Sequence, residues 1–290
     1  MKIAIVVNAR RKESIQSNEL DSLAEKYQLT YDLYFVEPDQ LEALLQELMQ
    51  KSYHVFLVAG GDGTVRTAAQ VLVHTEIPLA ILPLGTFNHF AKELNFPTDI
   101  EELFKIIKNN KTKQVDVGEV NQIIFINHSS IGLYTYVLKV KQKHKKWLGT
   151  SRLLKILFTA INIFKVIPIY TLKIKMEGQI LILNTCLMFI GNNYYFTNLL
   201  DLGSRQTLTA GFLSVYILNC KNRWNLIQVM FKVLFRTLDK TKYIKQFTTD
   251  DIIIEAKSKS VNVVVDGEIM KLENPLHYTI HNKKLTVITP

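Results

Sequence analysis

Val55-Phe56-Leu57-Val58-Ala59-Gly60-Gly61-Asp62-Gly63-Thr64 is the stretch on which the fold turns. Its apolar half, closed by glycine, reads as a buried strand. Val65 to Val73 then repeats apolar residues at helical spacing, so the glycines sit at a strand-to-helix turn. Three glycines there let the backbone come close to a polyphosphate, and the free N–H groups and positive dipole end of a helix favour anionic oxygens. Thr64 adds a hydroxyl at the helix start. A plain tight turn with Thr64 as N-cap fits the same residues, so a second turn bears on the choice. Ile77–Leu82 is another apolar run, and it ends in Pro83-Leu84-Gly85-Thr86-Phe87-Asn88-His89-Phe90-Ala91-Lys92. In an open α/β sheet ligands sit outside the carboxyl ends of the strands, where both Gly-Thr turns fall.

Working outward, Ile3–Asn8 and Leu33–Val36 read as strands and Glu19–Tyr27 and Leu41–Met49 as helices, an alternation that predicts parallel βαβ crossovers. Thr98-Asp99-Ile100-Glu101 fits a capping box opening a helix through Ile107, and a polar exit leads to Val115–Val117. The first domain is therefore expected over residues 1–118. From 119 to 280 the pattern turns strand-rich: Ile123–Asn127, Tyr170–Met176, Ile180–Ile190, Phe212–Leu218, Ile252–Ala256, Val261–Val265 and Tyr278. Helical patterns at Leu153–Val166 and Leu226–Leu238 interrupt it. A largely antiparallel sheet or sandwich is expected here, with a final strand in 281–290 returning to the first domain.

Over 290 residues, 48% hydrophobic and 21% charged side chains exclude collagen-like, low-complexity and extensively disordered classes. Met1–Asn8 is too short an apolar stretch for a secretory signal and runs into Arg10-Arg11-Lys12, so a cytoplasmic protein is expected. The window Leu153–Tyr170 is broken by Lys155, Asn162, Lys165 and Pro168, which suits a peripheral or buried helix better than a membrane span. Cys186 and Cys220 have no metal-binding spacing and read as reduced core residues.

The net charge of +9 favours an anionic partner. Lys139, Lys141, Lys143, Lys145, Lys146, Arg152 and Lys155 surround Trp147 without an acid and adjoin the apolar Leu153–Val166 pattern. Such a stretch suits reversible contact with an anionic membrane, or a solvated loop entering a core helix. No nucleic-acid-binding signature accompanies it, so nucleic acid is not an expected partner.

Gly60-Gly61-Asp62-Gly63-Thr64, followed some 20 residues later by Pro83-Leu84-Gly85-Thr86 and Asn88-x-Phe90-Ala91, resembles the diacylglycerol kinase catalytic-domain family of lipid kinases. The first motif is shared with NAD kinases; the second turn is similar to the lipid-kinase branch. The resemblance implies a two-domain NAD-kinase/diacylglycerol-kinase-like fold, an α/β nucleotide-binding domain followed by a β-sandwich lipid-substrate domain. It implies ATP and Mg²⁺, with Gly60, Gly61, Asp62, Gly63 and Thr64 at the phosphates, Asn8, Gly85, Thr86 and Asn88 nearby, and Asp62 and Asp116 toward the metal. Neither a Walker A loop nor a protein-kinase loop is matched.

Asp266-Gly267-Glu268 follows the apolar run Val261–Val265. Asp-Gly is a two-residue hairpin signal in its own right. By the resemblance it is also the catalytic acid pair, Asp266 accepting the lipid hydroxyl proton and Glu268 supporting it, which leads us to expect Asp266→Asn to fold normally and turn over poorly. Other positions depart from the family pattern: Thr67 stands where many relatives have Glu, Phe87 and His89 replace Gly and Asp, and Ala210 replaces Asp. These losses remove oxygen ligands that a structural Mg²⁺ would use. Asn192-Asn193-Tyr194-Tyr195 reads as either a border of the lipid cleft or a simple turn. The implied activity is ATP-dependent phosphorylation of the hydroxyl of diacylglycerol or a related lipid. An NAD-kinase-like enzyme would instead phosphorylate NAD without vesicles, and a noncatalytic nucleotide- or lipid-binding protein would bind without releasing ADP.

Overall fold

The computed structural model describes residues 1–136, 138, 169–195, 205, 207–219 and 243–290. The basic stretch Lys139–Lys155, the helical patterns Leu153–Val166 and Leu226–Leu238, and Cys220 lie outside the described residues.

The chain opens with β1 (Lys2–Asn8), α1 (Ser17–Tyr27), β2 (Thr30–Val36), α2 (Leu41–Leu48), β3 (Val55–Gly60), α3 (Asp62–Leu72), β4 (Leu79–Pro83), α4 (His89–Glu93) and α5 (Ile100–Asn109). β1 lies parallel between β2 and β3, and β3 pairs in parallel with β4. The apolar runs of β1, β3 and β4 are buried because helices cover a parallel sheet on both faces. Asp99 caps α5, its Oδ1 accepting the Glu102 N–H at 2.8 Å, so the cap is one residue beyond Thr98. α3 begins at Asp62 with Gly61 before it, which puts Thr64 inside the first turn and not at the cap.

The strands that follow are β5 (Thr112–Val120), β6 (Ile123–Phe125), β7 (His128–Gly132), β8 (Tyr170–Met176), β9 (Gln179–Asn192), β10 (Leu213–Asn219), β11 (Ile244–Thr249), β12 (Asp251–Glu255), β13 (Ser260–Val265), β14 (Glu268–Glu273) and β15 (Leu276–Ile288). Those within this half pair antiparallel, and a continuous hydrogen-bonded path runs β14-β13-β7-β9-β8-β12-β15-β4-β3-β1-β2. The result is a two-domain fold, α/β followed by β. Ile123–Asn127 is not one strand, since the ladder breaks between Phe125 and His128. β11 and β14, with few buried residues, carry too little apolar alternation to be read from sequence.

β15 ties the two halves together. Its first part pairs with β12 and β5, and Val287 reaches Leu79 of β4 in parallel. Leu285, Val287 and Ile288 belong to the core around β1, β3 and β4, whereas Leu276 and Tyr278 belong to a second core with Val120, Phe125 and Val263.

A second tie is ionic. The Arg205 side chain, 1% exposed, pairs with Glu93 of α4. It also donates to the carbonyls of Ile126 and Asn192, at 2.6 and 3.2 Å. Removing one member of a buried pair leaves the other charge uncompensated. Glu93→Ala should therefore lower stability by about 3–5 kcal/mol, read by denaturant titration; a loss under about 1 kcal/mol would mean Arg205 is hydrated.

Candidate active site

Both Gly-Thr turns lie at the carboxyl ends of β3 and β4, and they touch through backbone. A Cβ on Gly85 would fall 2.5 Å from the Gly61 Cα, so a side chain there would push the turns apart. Asn88, in the left-handed region at φ 52°, closes the second turn: its Oδ1 accepts the Gly85 N–H at 2.9 Å and its Nδ2 donates to the Gly85 carbonyl at 3.0 Å. Asp62 joins the turns from the other side, its Oδ2 accepting the Asn88 N–H at 3.0 Å. At the end of β1, Asn8 donates from Nδ2 to Thr64 Oγ1 at 3.3 Å.

These contacts frame a cleft of about 490 Å³, lined by Asn8, Gly61, Gly63, Thr64, Gly85, Thr86 and, from the other half of the chain, Glu268. Asp62 and Asn88 hold together the turns that form it. The sequence reading had no site role for three further lining residues, Arg10, Arg11 and Arg66. Arg10 and Arg11 follow the end of β1 directly, and a basic pair at the carboxyl end of a parallel strand is the signal that points to them. First-turn N–H groups of α3 and these guanidinium groups make the cleft suited to an anion.

Asp266 and Gly267 have φ 46° and 86°, positive at both central residues of a two-residue hairpin turn joining β13 to β14. The hairpin reading and the acid-site reading therefore describe one feature. The Asp266 carboxylate is turned inward across the break between β6 and β7. Its Oδ2 accepts the Ile126 N–H at 2.8 Å, and its Oδ1 accepts those of Asn127 and His128 at 2.9 and 3.0 Å. Burial nevertheless raises its pKa from 3.8 to about 6, with the three N–H donors pulling the other way. Glu268, two residues on, has a side chain 51% exposed, and its Oε2 accepts from Arg66 Nη2 at 3.1 Å.

Asp116 does not join this group. It is buried, and its two oxygens accept the Gly211 and Lys283 N–H groups, both at 2.8 Å. The resemblance assigns Asp116 to a metal; here N–H hydrogens point at its carboxylate, and Ala210 supplies no second acid. Among the described residues no group of three or more His, Cys, Asp or Glu side chains could hold a metal ion. Asn192 and Asn193 are buried cross-links, Asn192 donating to the Asp116 and Ile126 carbonyls and Asn193 accepting from Ala210 and Gly211. His128 stacks on Phe189 at 4.8 Å, and burial pushes its pKa down to about 4, so it is neutral at physiological pH.

The model of the diacylglycerol kinase catalytic domain matches residues 2–120. A Staphylococcus carnosus protein named "Putative lipid kinase" is 30% identical over 82% of this chain and 77% of its own length. A diacylglycerol kinase of the same species is 27% identical over 76% of this chain and 72% of its own. The solved structure of a diacylglycerol kinase from Bacillus anthracis has the same fold, with a TM-score of 0.69 over 100% of this chain and 97% of that one at 22% identity. The chain belongs to the diacylglycerol kinase catalytic-domain family, a family of lipid kinases. Among the described residues no helix is long and apolar enough to cross a membrane.

The three backbone donors attach a stability cost to replacing Asp266. Asp266→Asn keeps a residue that tolerates positive φ but turns an NH₂ group toward backbone N–H donors, so it should lower stability by about 1–3 kcal/mol, measured as a drop in Tm. The raised pKa also has a sign: the folded chain holds this proton more tightly than the unfolded one. That contribution to stability is present in full below the ordinary 3.8 and is lost as pH rises through about 6. The Tm difference between wild type and Asp266→Asn should change across that window; a constant difference would contradict the shift.

Proposed function

We propose that this chain transfers the γ-phosphoryl group of ATP to the hydroxyl of diacylglycerol or a related lipid. The observation that carries the reading is the opening of a half-exposed carboxylate, Glu268, onto the cleft formed by the two glycine turns. Gly61, Gly63, Thr64, Gly85 and Thr86 would meet the phosphates, with Asn8 holding Thr64 in place and Arg10 and Arg11 adding positive charge. Mg²⁺, when bound with the nucleotide, supplies charge neutralisation across the phosphates. Asp62, one of whose oxygens is committed to Asn88, is the residue that would hold it through the other.

We assign the proton acceptor to Asp266, with Glu268 supporting it. Burial raises the Asp266 pKa to about 6, closer to the range in which a general base works at neutral pH than an ordinary carboxylate. Three backbone donors hold it in place, and Glu268 opens from the same turn onto the cleft. As the lipid oxygen bonds to phosphorus and the bond to the ADP oxygen breaks, the hydroxyl proton passes to Asp266.

In the same reading residues 1–118 form the nucleotide-binding domain, 119–280 the lipid-substrate domain, and 281–290 returns to the first. The separation of the two cores supports that division. Residence in the cytoplasm with reversible association with an anionic membrane through residues 139–155 rests on the sequence alone.

The test follows radiolabelled phosphate from ATP into a mixed lipid extract, with NAD as a parallel acceptor. Label should enter a neutral glycerolipid or sphingoid lipid. Asp266→Asn, assayed below its lowered Tm, should cut kcat by at least about 100-fold. Label in NAD alone, or a folded Asp266→Asn enzyme at full turnover, would overturn the reading.

A further inference from the structure

Two of the three peptide groups that donate to Asp266 are also held at their carbonyl ends by buried side chains. The Ile126 carbonyl belongs to the same peptide unit as the Asn127 N–H, and it accepts from Arg205 Nη1 at 2.6 Å and Asn192 Nδ2 at 2.9 Å. The Asn127 carbonyl shares its unit with the His128 N–H and accepts from the Tyr195 hydroxyl at 2.8 Å. Both units then turn their N–H to one oxygen, Asp266 Oδ1, at 2.9 and 3.0 Å. A peptide group pulled at its oxygen becomes a stronger donor at its nitrogen, and the pull is larger when it comes from a charged group. Arg205 is the charged member of this set, and with its side chain 1% exposed its charge is little screened by water. A tie between the two halves would need only the ion pair with Glu93, yet the guanidinium also commits Nη1 to the Ile126 and Asn192 carbonyls beside the break. Glu93 accepts from Nε and Nη2, which fixes the fork with Nη1 toward the break.

We propose that Arg205 is a positioning residue for the reaction: through the Ile126–Asn127 peptide it holds the Asp266 carboxylate in the ionised form that can accept a proton, and Glu93 moderates its charge. This rests on the assignment of Asp266 as proton acceptor. Burial alone would favour the protonated acid, which cannot take the hydroxyl proton. Other charged and titratable groups face the carboxylate as well: Arg66 from α3, His128 on β7, which is neutral, Tyr195 beyond the Asn127 carbonyl, and Glu268 on the same hairpin. Arg66 pulls in the same direction as Arg205 but lines the cleft, where the phosphates of a bound nucleotide would share its charge. Arg205 is buried away from that ligand, so its action on Asp266 persists through the catalytic cycle. The competing role for Arg205 is that of a clamp, holding α4 to the break with no influence on the acid.

Two readouts on the full chain separate these roles. Carboxyl-carbon NMR follows the titration of Asp266 itself, its resonance identified by its loss in Asp266→Asn. The pH profile of kcat is measured with ATP and dioleoylglycerol in mixed micelles, below the Tm of each variant. Arg205→Gln should raise both the carboxyl midpoint and the acid limb of kcat by about one pH unit, and Arg205→Lys, which keeps the charge, by less than about half of that. Glu93→Gln still offers an oxygen to the guanidinium and should move both the other way, by about half a unit. A clamp gives no such opposition, since losing either partner loosens it alike. If Arg205→Gln does not fold, the direction of the Glu93→Gln shift decides alone. Midpoint and limb unmoved in folded variants, or moved the same way by both substitutions, overturn this inference, and an inactive Asp266→Asn beside them leaves the base assignment standing. A folded, fully active Asp266→Asn overturns the base assignment and this inference with it.

Discussion

A single buried carboxylate, that of Asp266, sets the position of the β13–β14 hairpin. It answers three consecutive backbone N–H groups, Ile126 to His128, at the place where the chain leaves one strand before entering the next. Those donors would otherwise be stranded in a low-dielectric interior, and an unpaired buried N–H is among the costlier defects a fold can carry. Burial opposes ionisation of the acid while the donors favour it, and the balance leaves its pKa raised. The backbone N–H of Asp266 returns to the His128 carbonyl at 2.9 Å, so the turn is pinned by main chain as well. Glu268 inherits its location from this arrangement.

Facing that hairpin, the two glycine turns meet without intervening side chains. Gly61 and Gly85 are close enough that even a methyl group would not fit, and Asn88 and Asp62 lock the contact with hydrogen bonds. Close packing of bare backbone turns exposes N–H groups to a ligand at short range, which side chains would otherwise screen. The cleft so formed has cationic groups from Arg10, Arg11 and Arg66 and an anionic group from Glu268. An anion-binding wall facing a hairpin that carries carboxylates is a charge distribution that suits phosphoryl transfer to a hydroxyl.

The two halves hold this geometry through a few strong ties. β15 is shared between the cores, Arg205 bonds α4 to the β6–β7 break, and Asp116 fastens the Gly211 turn to the β15 irregularity near Lys283. Asp116 and Asp266 thus use carboxylates in the same way, as acceptors for backbone donors at points where strand pairing fails.

Local pattern determined much about this protein. The alternation of β1 to β4 with helices, the glycine turns at strand ends, and the capped α5 all follow from spacing and turn chemistry, which act over a few residues. The turn residues Gly61, Gly63, Thr64, Gly85 and Thr86 were legible for that reason, and Asn8 only through the family resemblance. Tertiary structure alone decided which acid of Asp266-Gly267-Glu268 is buried, since neighbours in sequence receive different surroundings from strands more than a hundred residues away. It also decided that Asp116 meets backbone donors, that polar β11 and β14 pair as strands, and that Arg66 meets Glu268 across 202 positions. Those outcomes depend on hydrogen bonds and burial between distant segments, and short-range periodicity carries no record of them.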